Sequence, residues 1–342
     1  MNIIRCDESH EQAWDEYVGR HELGSFYHLF GWRRVNESSF GHQTFYLAAL
    51  DGGRIKGVFP LVYLTGGFFG EILCSLPFVN YGGPCADDPA TERLLLDEAR
   101  RLVGAHAADY LEIRSTRKLD GGFQTSEHKV SITVSLDPNP DVIWDAFKTG
   151  HRKHIRQAYK RNLSVRTGGG ELLDTFYAIL EESWKHLGTP LYEKRYFETV
   201  LNTFPEQTRI FVVDYDGMPI AAAFNGYFGK LVEGMWLGTR PTYRPMEPGY
   251  VLYWEMIRDS CMRGFQQFHL GRSTVDSGGE TFKRKWNAYP TQLYWQYVLP
   301  NGKPMPQLNV GNPKYQIAMQ LWRVLPSAIT RAVGPWLAKS IP

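Results

Sequence analysis

The hydrophobic and polar positions in the first part of the chain predict helices followed by strands. Apolar residues recur at helical spacing over 11–18, and a second, aromatic helix starts within 25–32. Two apolar stretches, 44–50 and 55–63, then flank the sequence Asp51-Gly52-Gly53. Because this sequence readily adopts the positive backbone angles of a tight turn, the two stretches predict a β-hairpin.

The pattern continues with a strand, a helix and another strand. Apolar residues cluster over 71–77, recur at helical spacing over 91–103 and return as a short strand pattern over 110–114. The second half of the chain repeats this order, with a hairpin over 209–228, a strand over 231–237, a helix over 250–262 and a strand over 265–270. The repetition predicts an α/β protein with two similar units in tandem.

A boundary between the two units is predicted after the strand at 131–135. The sequence that follows, Leu136-Asp137-Pro138-Asn139-Pro140, cannot continue a strand because of its two prolines. Asp141 is then placed to cap a helix that begins at Val142. We expect the following division: a first domain over 1–138, a second over 139–300 and a helical tail over 301–342.

The composition is that of a globular protein with nearly balanced charge. The 342 residues are 43% hydrophobic, which is enough for a large core, and the formal net charge of +2 gives no argument for a nucleic-acid partner. The start of the chain lacks the features of a secretory signal. The apolar stretches at 58–70 and 72–86 are too short and too rich in Gly and Pro to span a membrane. We expect a cytoplasmic protein.

The cysteines give no sign of a metal site or a disulfide. Cys6, Cys74, Cys85 and Cys261 are scattered, without a Cys-x-x-Cys pair or histidines at ligand spacing. We expect buried free thiols and no metal.

The stretch 265–290 carries the main candidate for chemistry. A strand ends at Gly271-Arg272-Ser273, a glycine-containing loop follows, and Phe282-Lys283-Arg284-Lys285-Trp286 then places three cations between two aromatic residues. Such an arrangement can hold a carbonyl oxygen or phosphates against an aromatic wall. It predicts a site for an anionic or polarised ligand.

The order of these motifs resembles the FemAB-like branch of the GNAT acyltransferase superfamily, especially the FemAB-related proteins that accompany exosortase (PEP-CTERM) and exopolysaccharide systems. Further residues that carry the resemblance are Asn80-Tyr81-Gly82-Gly83, the basic segment His151–Ala158, and Trp184 with Gly188-Thr189-Pro190. Asn287 departs from the pattern, which usually has Gly after the Trp. The resemblance implies two tandem GNAT-like units with mixed central sheets flanked by helices.

The resemblance also implies roles for individual residues. Phe282 and Lys283 match the Phe-Lys pair of the family, in which the lysine stabilises negative charge on the carbonyl under attack. The alternative for Lys283 is an ordinary surface lysine. Arg272 either orients a phosphate or carboxylate as part of the catalytic group, or forms an internal ion pair with Glu233. Asn80, Tyr81, Trp184 and Trp286 are candidates for substrate binding, with packing as the alternative, and His269 is interpreted as a core histidine.

A basic segment offers a second binding surface. No acidic residue occurs between Asp145 and Glu171, and Arg152, Arg156 and Lys160 fall on one face of a predicted helix. Because acids normally interleave with cations on a solvated face, their absence favours binding of phosphates, either in the acceptor or in the backbone of a tRNA. A solvated charged face is the alternative.

The donor is predicted from the loop at 243–250. Acyl-CoA enzymes of the GNAT superfamily hold pyrophosphate on backbone N–H groups at a helix start. Here Pro245 and Pro248 remove N–H donors and Glu247 adds a negative charge. We therefore expect aminoacyl-tRNA as the activated donor, with acyl-CoA as the alternative and no bound cofactor. A protein that has lost transferase activity would fit the same loop equally well.

Together these features predict a transferase that moves an aminoacyl or acyl group onto an amine of a cell-envelope precursor, such as one of peptidoglycan or an exopolysaccharide. The alternatives are a non-catalytic binding or assembly protein of an envelope polysaccharide or protein-sorting system, and an acyl-CoA-dependent N-acyltransferase. The expected partner is a phosphorylated or lipid-linked precursor, with tRNA as a second candidate.

The tail has two interpretations. Apolar residues recur at helical spacing over 315–341, Pro326 and Pro335 interrupt them, and no acid follows Lys314. We expect the tail to pack on the first domain. The alternative is peripheral contact with the inner face of the cytoplasmic membrane.

Overall fold

The computed structural model describes residues 1–66, 70–300, 303–306 and 313–342. Its strands are β1 (Asn2–Arg5), β2 (Gln43–Asp51), β3 (Arg54–Gly66), β4 (Gly70–Cys74), β5 (Cys85–Ala86), β6 (Tyr110–Ser115), β7 (Gln124–Ser135), β8 (Leu163–Gly168), β9 (Thr208–Tyr215), β10 (Met218–Phe228), β11 (Leu231–Thr239), β12 (Gln267–Thr274) and β13 (Tyr289–Val298). Its helices are α1 (Glu11–Arg20), α2 (Gly31–Phe40), α3 (Pro89–Ala105), α4 (Pro140–Ala146), α5 (Thr149–Tyr159), α6 (Leu173–Leu187), α7 (Lys194–Thr203), α8 (Pro248–Met262), α9 (Gly278–Arg284), α10 (Pro313–Val324) and α11 (Ser327–Ala338).

The described residues form two compact units. The first unit contains 1–66, 70–129, 292–300, 303–306 and 339–342, and the second contains 130–291 and 313–338. The division falls between Lys129 and Val130, inside β7, and therefore lies before the prolines at which the sequence predicts it. Residues 292–298 of β13 belong to the first unit because they pair with β6, from Tyr294 opposite Ser115 to Val298 opposite Leu111.

The sheet of the first unit is built around a hairpin and a parallel pair. β2 and β3 are antiparallel, and their turn uses positive φ angles at Gly52 and Gly53. β4 pairs antiparallel with β3 and parallel with β6, at Ile72–Cys74 opposite Tyr110–Glu112. Helix α3 connects the parallel strands and buries Leu95 and Ala99 in the core.

The second unit repeats this arrangement. β9 and β10 form an antiparallel hairpin, β11 is antiparallel to β10, and β11 pairs in parallel with β12 at Leu231–Glu233 opposite Gln267–His269. Helix α8 connects this parallel pair and is buried on most of its surface. The predicted α/β class and the tandem repeat are confirmed, because hairpin, strand, helix and strand follow one another in both units.

The helices of the tail lie in the second unit, where they contact α6. Arg331 forms an ion pair with Glu181, and Lys185 Nζ donates to Ser327 Oγ at 3.0 Å. Gly334 of α11 lies against the backbone of Leu191, where a Cβ would be in ordinary van der Waals contact, 3.5 Å from the carbonyl oxygen. The structure therefore corrects the expectation that the tail packs on the first domain, because of its described residues only 303–306 and 339–342 belong to the first unit.

Two local features differ from the sequence-based predictions. Helix α4 is capped by Asn139, whose Oδ1 accepts from the Asp141 N–H at 3.0 Å, with Pro140 at the first helical position. The Phe-Lys pair lies in the short helix α9, which Ser277 caps, and so not in a loop.

The four cysteines are buried and free. Among the described helices, none has the length and apolar character needed to cross a membrane.

Candidate active site

The candidate site lies in the second unit, where the parallel pairing of β11 and β12 ends. The last paired residues are Glu233 and His269, and β11 continues beyond them to Thr239. Gly271 has φ +80°, and a Cβ at this position would lie 2.7 Å from the Gly234 carbonyl oxygen. Only glycine fits this close approach, which leaves the backbone of β12 accessible to a side chain from another element.

A β-bulge changes the direction of β11 just beyond this point. Phe224 of β10 pairs with Trp236, and the next residue of β10, Asn225, pairs with Gly234. Met235 is therefore an extra residue on β11. Because bulges bend a strand and redirect the side chains that follow, this bulge helps to set the direction of the end of β11.

Helix α9 brings Lys283 to the end of β12. Its Nζ donates to the carbonyl oxygens of Gly271 at 2.9 Å and Arg272 at 3.0 Å. Burial, followed by the nearby charge of Arg272, lowers the pKa of Lys283 to about 7. Lys283 is therefore a half-buried group that connects α9 to the end of β12.

A pocket of about 350 Å³ is lined by Phe282, the residue before this lysine, and Lys283 itself is not one of its lining residues. Phe282 contributes to its wall and packs edge-to-face on Tyr250, with ring centroids 5.3 Å apart. The end of β11 contributes Leu237 and Thr239. The remaining lining residues are Ser183, Leu187, Arg244, Glu247, Pro248 and Gly249. The pocket thus combines an aromatic wall with both signs of charge.

The start of α8, at the edge of this pocket, contains an acid that is already engaged. Glu247 has φ +56° and precedes Pro248, the first residue of the helix. Its carboxylate accepts from Arg161 Nη1 at 3.1 Å and lies 3.1 Å from His154 Nδ1. A phosphate at this helix start would meet the carboxylate and would lack an N–H donor at Pro248.

Trp286 lies in the core behind the pocket. Its side chain is 0% exposed and packs against Phe147, His151 and Tyr253, with ring centroids 5.5, 4.3 and 5.6 Å away. The prediction that Trp286 binds substrate is therefore corrected, because its ring has no surface for a ligand. Phe282, four residues earlier, lines the pocket together with Tyr250.

His151 is part of the same aromatic cluster. It is buried, and within the described part of the chain neither of its ring nitrogens has a hydrogen-bond partner. Burial, with smaller contributions from Lys285 and His154, lowers the pKa of His151 to about 4. The imidazole is therefore neutral near pH 7.

The basic segment on α5 is less free than its sequence indicates. Arg152 pairs with Asp145 at 3.2 Å, and the Arg156 guanidinium lies 5.3 Å from the centre of the Trp144 ring. Lys160 is at the end of the helix. Acids from distant parts of the sequence also reach this region, as the contact between Glu247 and Arg161 shows. The absence of acids from one sequence window did not predict an acid-free surface.

The other predicted residues are divided between the two units. Arg272 lies at the site, where its carbonyl oxygen accepts a hydrogen bond from Lys283 Nζ. Glu233 Oε1 lies 3.0 Å from His269 Nδ1, within hydrogen-bond distance. The interpretation of His269 as a satisfied core histidine is confirmed. Trp184 is half-buried on α6, with its ring centroid 5.8 Å from that of Tyr192.

Asn80 and Tyr81 belong to the first unit and are buried there. Asn80 Nδ2 donates to the Tyr27 hydroxyl at 2.8 Å, and the Tyr81 ring packs edge-to-face on Tyr27 at 5.2 Å. These contacts correspond to the packing alternative. The structure thus brings together Phe282, Lys283 and Arg272 from the predicted set.

Sequence reasoning missed Tyr250 and Ser183 as pocket residues. Tyr250 lies near the start of the strongly apolar helix α8. Ser183 Oγ on α6 accepts a hydrogen bond from the Thr239 N–H on β11 at 3.2 Å, although the two elements are distant in sequence. No local motif marks either of them. Within the described ranges no cluster of His, Cys, Asp and Glu side chains is arranged to hold a metal ion.

Known structures share this architecture. A family model described as an acetyltransferase (GNAT) domain matches residues 147–284. The crystal structure of FemX aligns with a TM-score of 0.69 at 16% identity, covering 94% of this chain and 100% of that chain. A tandem GNAT protein from the clavulanic acid biosynthesis pathway aligns with a TM-score of 0.53 at 11% identity, covering 89% and 99%. The chain has a tandem GNAT fold.

The structure of L-PGS from Bacillus licheniformis is also similar to this tandem GNAT chain. It aligns with a TM-score of 0.58 at 13% identity, covering 96% of this chain and 98% of that chain. No curated protein matches the chain in sequence. The GNAT family match contains every residue that lines the pocket, together with Lys283. The second GNAT unit is therefore where the fold, the pocket and the perturbed lysine coincide.

Proposed function

We propose that this protein is a transferase that moves an aminoacyl or acyl group onto an amine of a cell-envelope or exopolysaccharide precursor. The observation that carries the proposal is the pocket of about 350 Å³ lined by Phe282, the residue before Lys283, in the unit that matches an acetyltransferase (GNAT) domain. A lysine with a lowered pKa beside a pocket is a typical feature of a functional site. The alternative of a non-catalytic binding protein would not require this feature.

In the proposed reaction the acceptor amine attacks the carbonyl carbon of the activated donor. A C–N bond forms, the ester C–O bond to the donor breaks, and the proton lost by the amine is taken up by the leaving hydroxyl. Two of the hydrogen bonds of Lys283 are used on backbone carbonyls, and in its charged form a third N–H remains to stabilise the developing oxyanion. Phe282 forms the wall against which the acyl group packs.

We propose aminoacyl-tRNA as the donor. Acyl-CoA would place its pyrophosphate at the start of α8, where Pro245 and Pro248 lack N–H donors and the carboxylate of Glu247 would repel it. The acetyltransferase family match favours acyl-CoA as the second candidate. Arg152, Arg156 and Lys160 on α5 are proposed to bind phosphates of the tRNA or the acceptor.

The proposed acceptor is a phosphorylated or lipid-linked precursor at the inner face of the cytoplasmic membrane. The C-terminal domain of a putative lysylphosphatidylglycerol synthetase from Agrobacterium fabrum shares the fold, with a TM-score of 0.56 at 13% identity. Association with FemAB-related exosortase systems stays a prediction.

The test compares two donor pools. The protein is incubated with charged tRNA and, separately, with acyl-CoA, each with envelope extract as acceptor, and loss of the activated ester or thioester is measured. We expect loss of aminoacyl-tRNA that depends on the acceptor. Consumption of acyl-CoA alone would favour the acyl-CoA-dependent enzyme, and turnover of neither donor would favour the binding protein.

Two variants show whether any turnover belongs to this site. Lys283→Ala should abolish transfer, whereas the matched control Lys285→Ala, which removes an exposed lysine two residues later, should retain it. Full activity in Lys283→Ala would remove Lys283 from the mechanism.

A further inference from the structure

Each of the two tail helices exposes an apolar stripe, and we call the two stripes together the tail face. In α10 it consists of Ile317, Leu321 and Val324, and Val324 is 78% exposed. In α11 it consists of Ile329, Val333 and Trp336. Each set follows the spacing i, i+4 and i+7, so each forms a stripe on one side of its helix.

The exposure of the tail face does not result from helices that fail to pack on the protein. The other side of each helix is buried against the second unit: Trp322 is 8% exposed in α10, and Thr330, Gly334 and Ala338 are buried in α11. Arg331 and Lys185 connect this buried side to α6. Both helices are therefore held in place while each presents a continuous apolar stripe outward, which is uncommon on an isolated soluble protein.

The charges around the tail face identify its partner. The charged residues of the two tail helices are all cations, Lys314, Arg323 and Arg331, and Arg331 is paired with Glu181 of α6. Helices that combine aliphatic and Trp side chains with cations and carry no acid of their own are complementary to an anionic lipid bilayer. Pro326 separates the two helices, so each is short, and short helices of this type lie in the plane of the interface.

We propose that the tail face is a membrane-docking surface for anionic phospholipid. This inference goes beyond the proposed function because it concerns α10 and α11 and does not depend on catalysis. On docking, the apolar stripes enter the boundary between headgroups and acyl chains, and the cations remain at the level of the headgroups.

The test is flotation of the full-length protein with vesicles. Wild-type protein should float with vesicles of phosphatidylcholine and phosphatidylglycerol, and less with phosphatidylcholine alone. The double variant Leu321→Glu with Val333→Glu should lower the partition coefficient about tenfold or more, because each change removes inserted apolar surface and adds a repelled charge. Both residues are exposed, so a urea unfolding curve should show that the fold is retained.

A matched control uses exposed apolar residues outside the tail. Leu94→Glu with Val142→Glu adds the same charge at positions of comparable exposure and should leave flotation unchanged. The proposal would be overturned by wild-type protein that stays unbound with anionic vesicles, or by equal losses in both double variants. Concentration-dependent self-association without vesicles, abolished by Leu321→Glu with Val333→Glu, would instead assign the tail face to a second copy of this chain.

Discussion

The lowered pKa of Lys283 makes a measurable prediction about stability. Its Nζ is held by the carbonyls of Gly271 and Arg272 in a half-buried position, where burial disfavours the charged form. Lys283→Met keeps a side chain of similar length without the charge or the donors. Comparing the two proteins across pH isolates the contribution of this ammonium group.

The sign follows from which state binds the proton more tightly. The ordinary lysine pKa is 10.5, and the folded protein lowers it to about 7. Between these values the unfolded chain holds a proton that the folded chain tends to lose, so wild-type stability rises with pH. The limiting slope is about 1.4 kcal/mol per pH unit. After allowance for partial exposure to solvent, we expect the lowered pKa of Lys283 to change the free energy of unfolding by about 3 kcal/mol in total.

The assay is urea unfolding of wild type, Lys283→Met and the control Lys285→Met at about pH 7 and about pH 9. The stability of wild type relative to Lys283→Met should increase by about 2 kcal/mol over this interval. Wild type and Lys285→Met should keep a constant difference. All other titrating groups are common to the three proteins and cancel. A constant difference between wild type and Lys283→Met would refute the perturbed pKa.

Three further predictions concern other parts of the second unit. Arg152→Ala with Arg156→Ala should weaken binding of a phosphorylated ligand and flatten its salt dependence, whereas an unchanged slope of affinity against salt would indicate a solvated face. Wild type should lose about 2 kcal/mol of stability as the pH falls from about 6.5 to about 4, because the His151 side chain binds a proton in the unfolded chain and excludes it in the folded protein. His151→Phe should not show this loss, and urea unfolding curves across this pH range measure the difference. Asn139→Ala should destabilise α4 by about 1 kcal/mol in urea unfolding, and Asp141→Ala should have little effect.

The sequence predicted the elements whose physical causes are local. The hairpin turns at Asp51-Gly52-Gly53 and Asp216-Gly217 need positive backbone angles, and the structure has them there. The periodicity of 91–103 and 250–262 predicted α3 and α8 because each helix buries its apolar residues. These signals are sufficient for the tandem α/β architecture.

Features that depend on distant contacts were not predictable in this way. The surface around α5 receives Glu247 from a loop far along the chain, so counting acids in one window misjudged its charge. Trp286 was assigned to a ligand wall because it follows a basic run, but it faces inward on the turn after α9. The unit that the tail joins was also undetermined, since α6 provides the ion-pair partner Glu181.

The two units differ at the point where their parallel strand pairs end. In the first unit the parallel pairing ends at Cys74 and Glu112, and two residues later Arg114 fills the space, bonded to Glu112 and lying 4.3 Å from the centre of the Trp295 ring.

In the second unit the pairing ends at Glu233 and His269, and the residue two positions later is Gly271. The missing side chain exposes backbone carbonyls, and Lys283 binds them from α9. In the first unit, therefore, the buried ion pair of Arg114 with Glu112 and the ring of Trp295 fill the space where the parallel pairing ends. In the other it is left open for Lys283, the group to which the proposed transfer assigns stabilisation of the oxyanion.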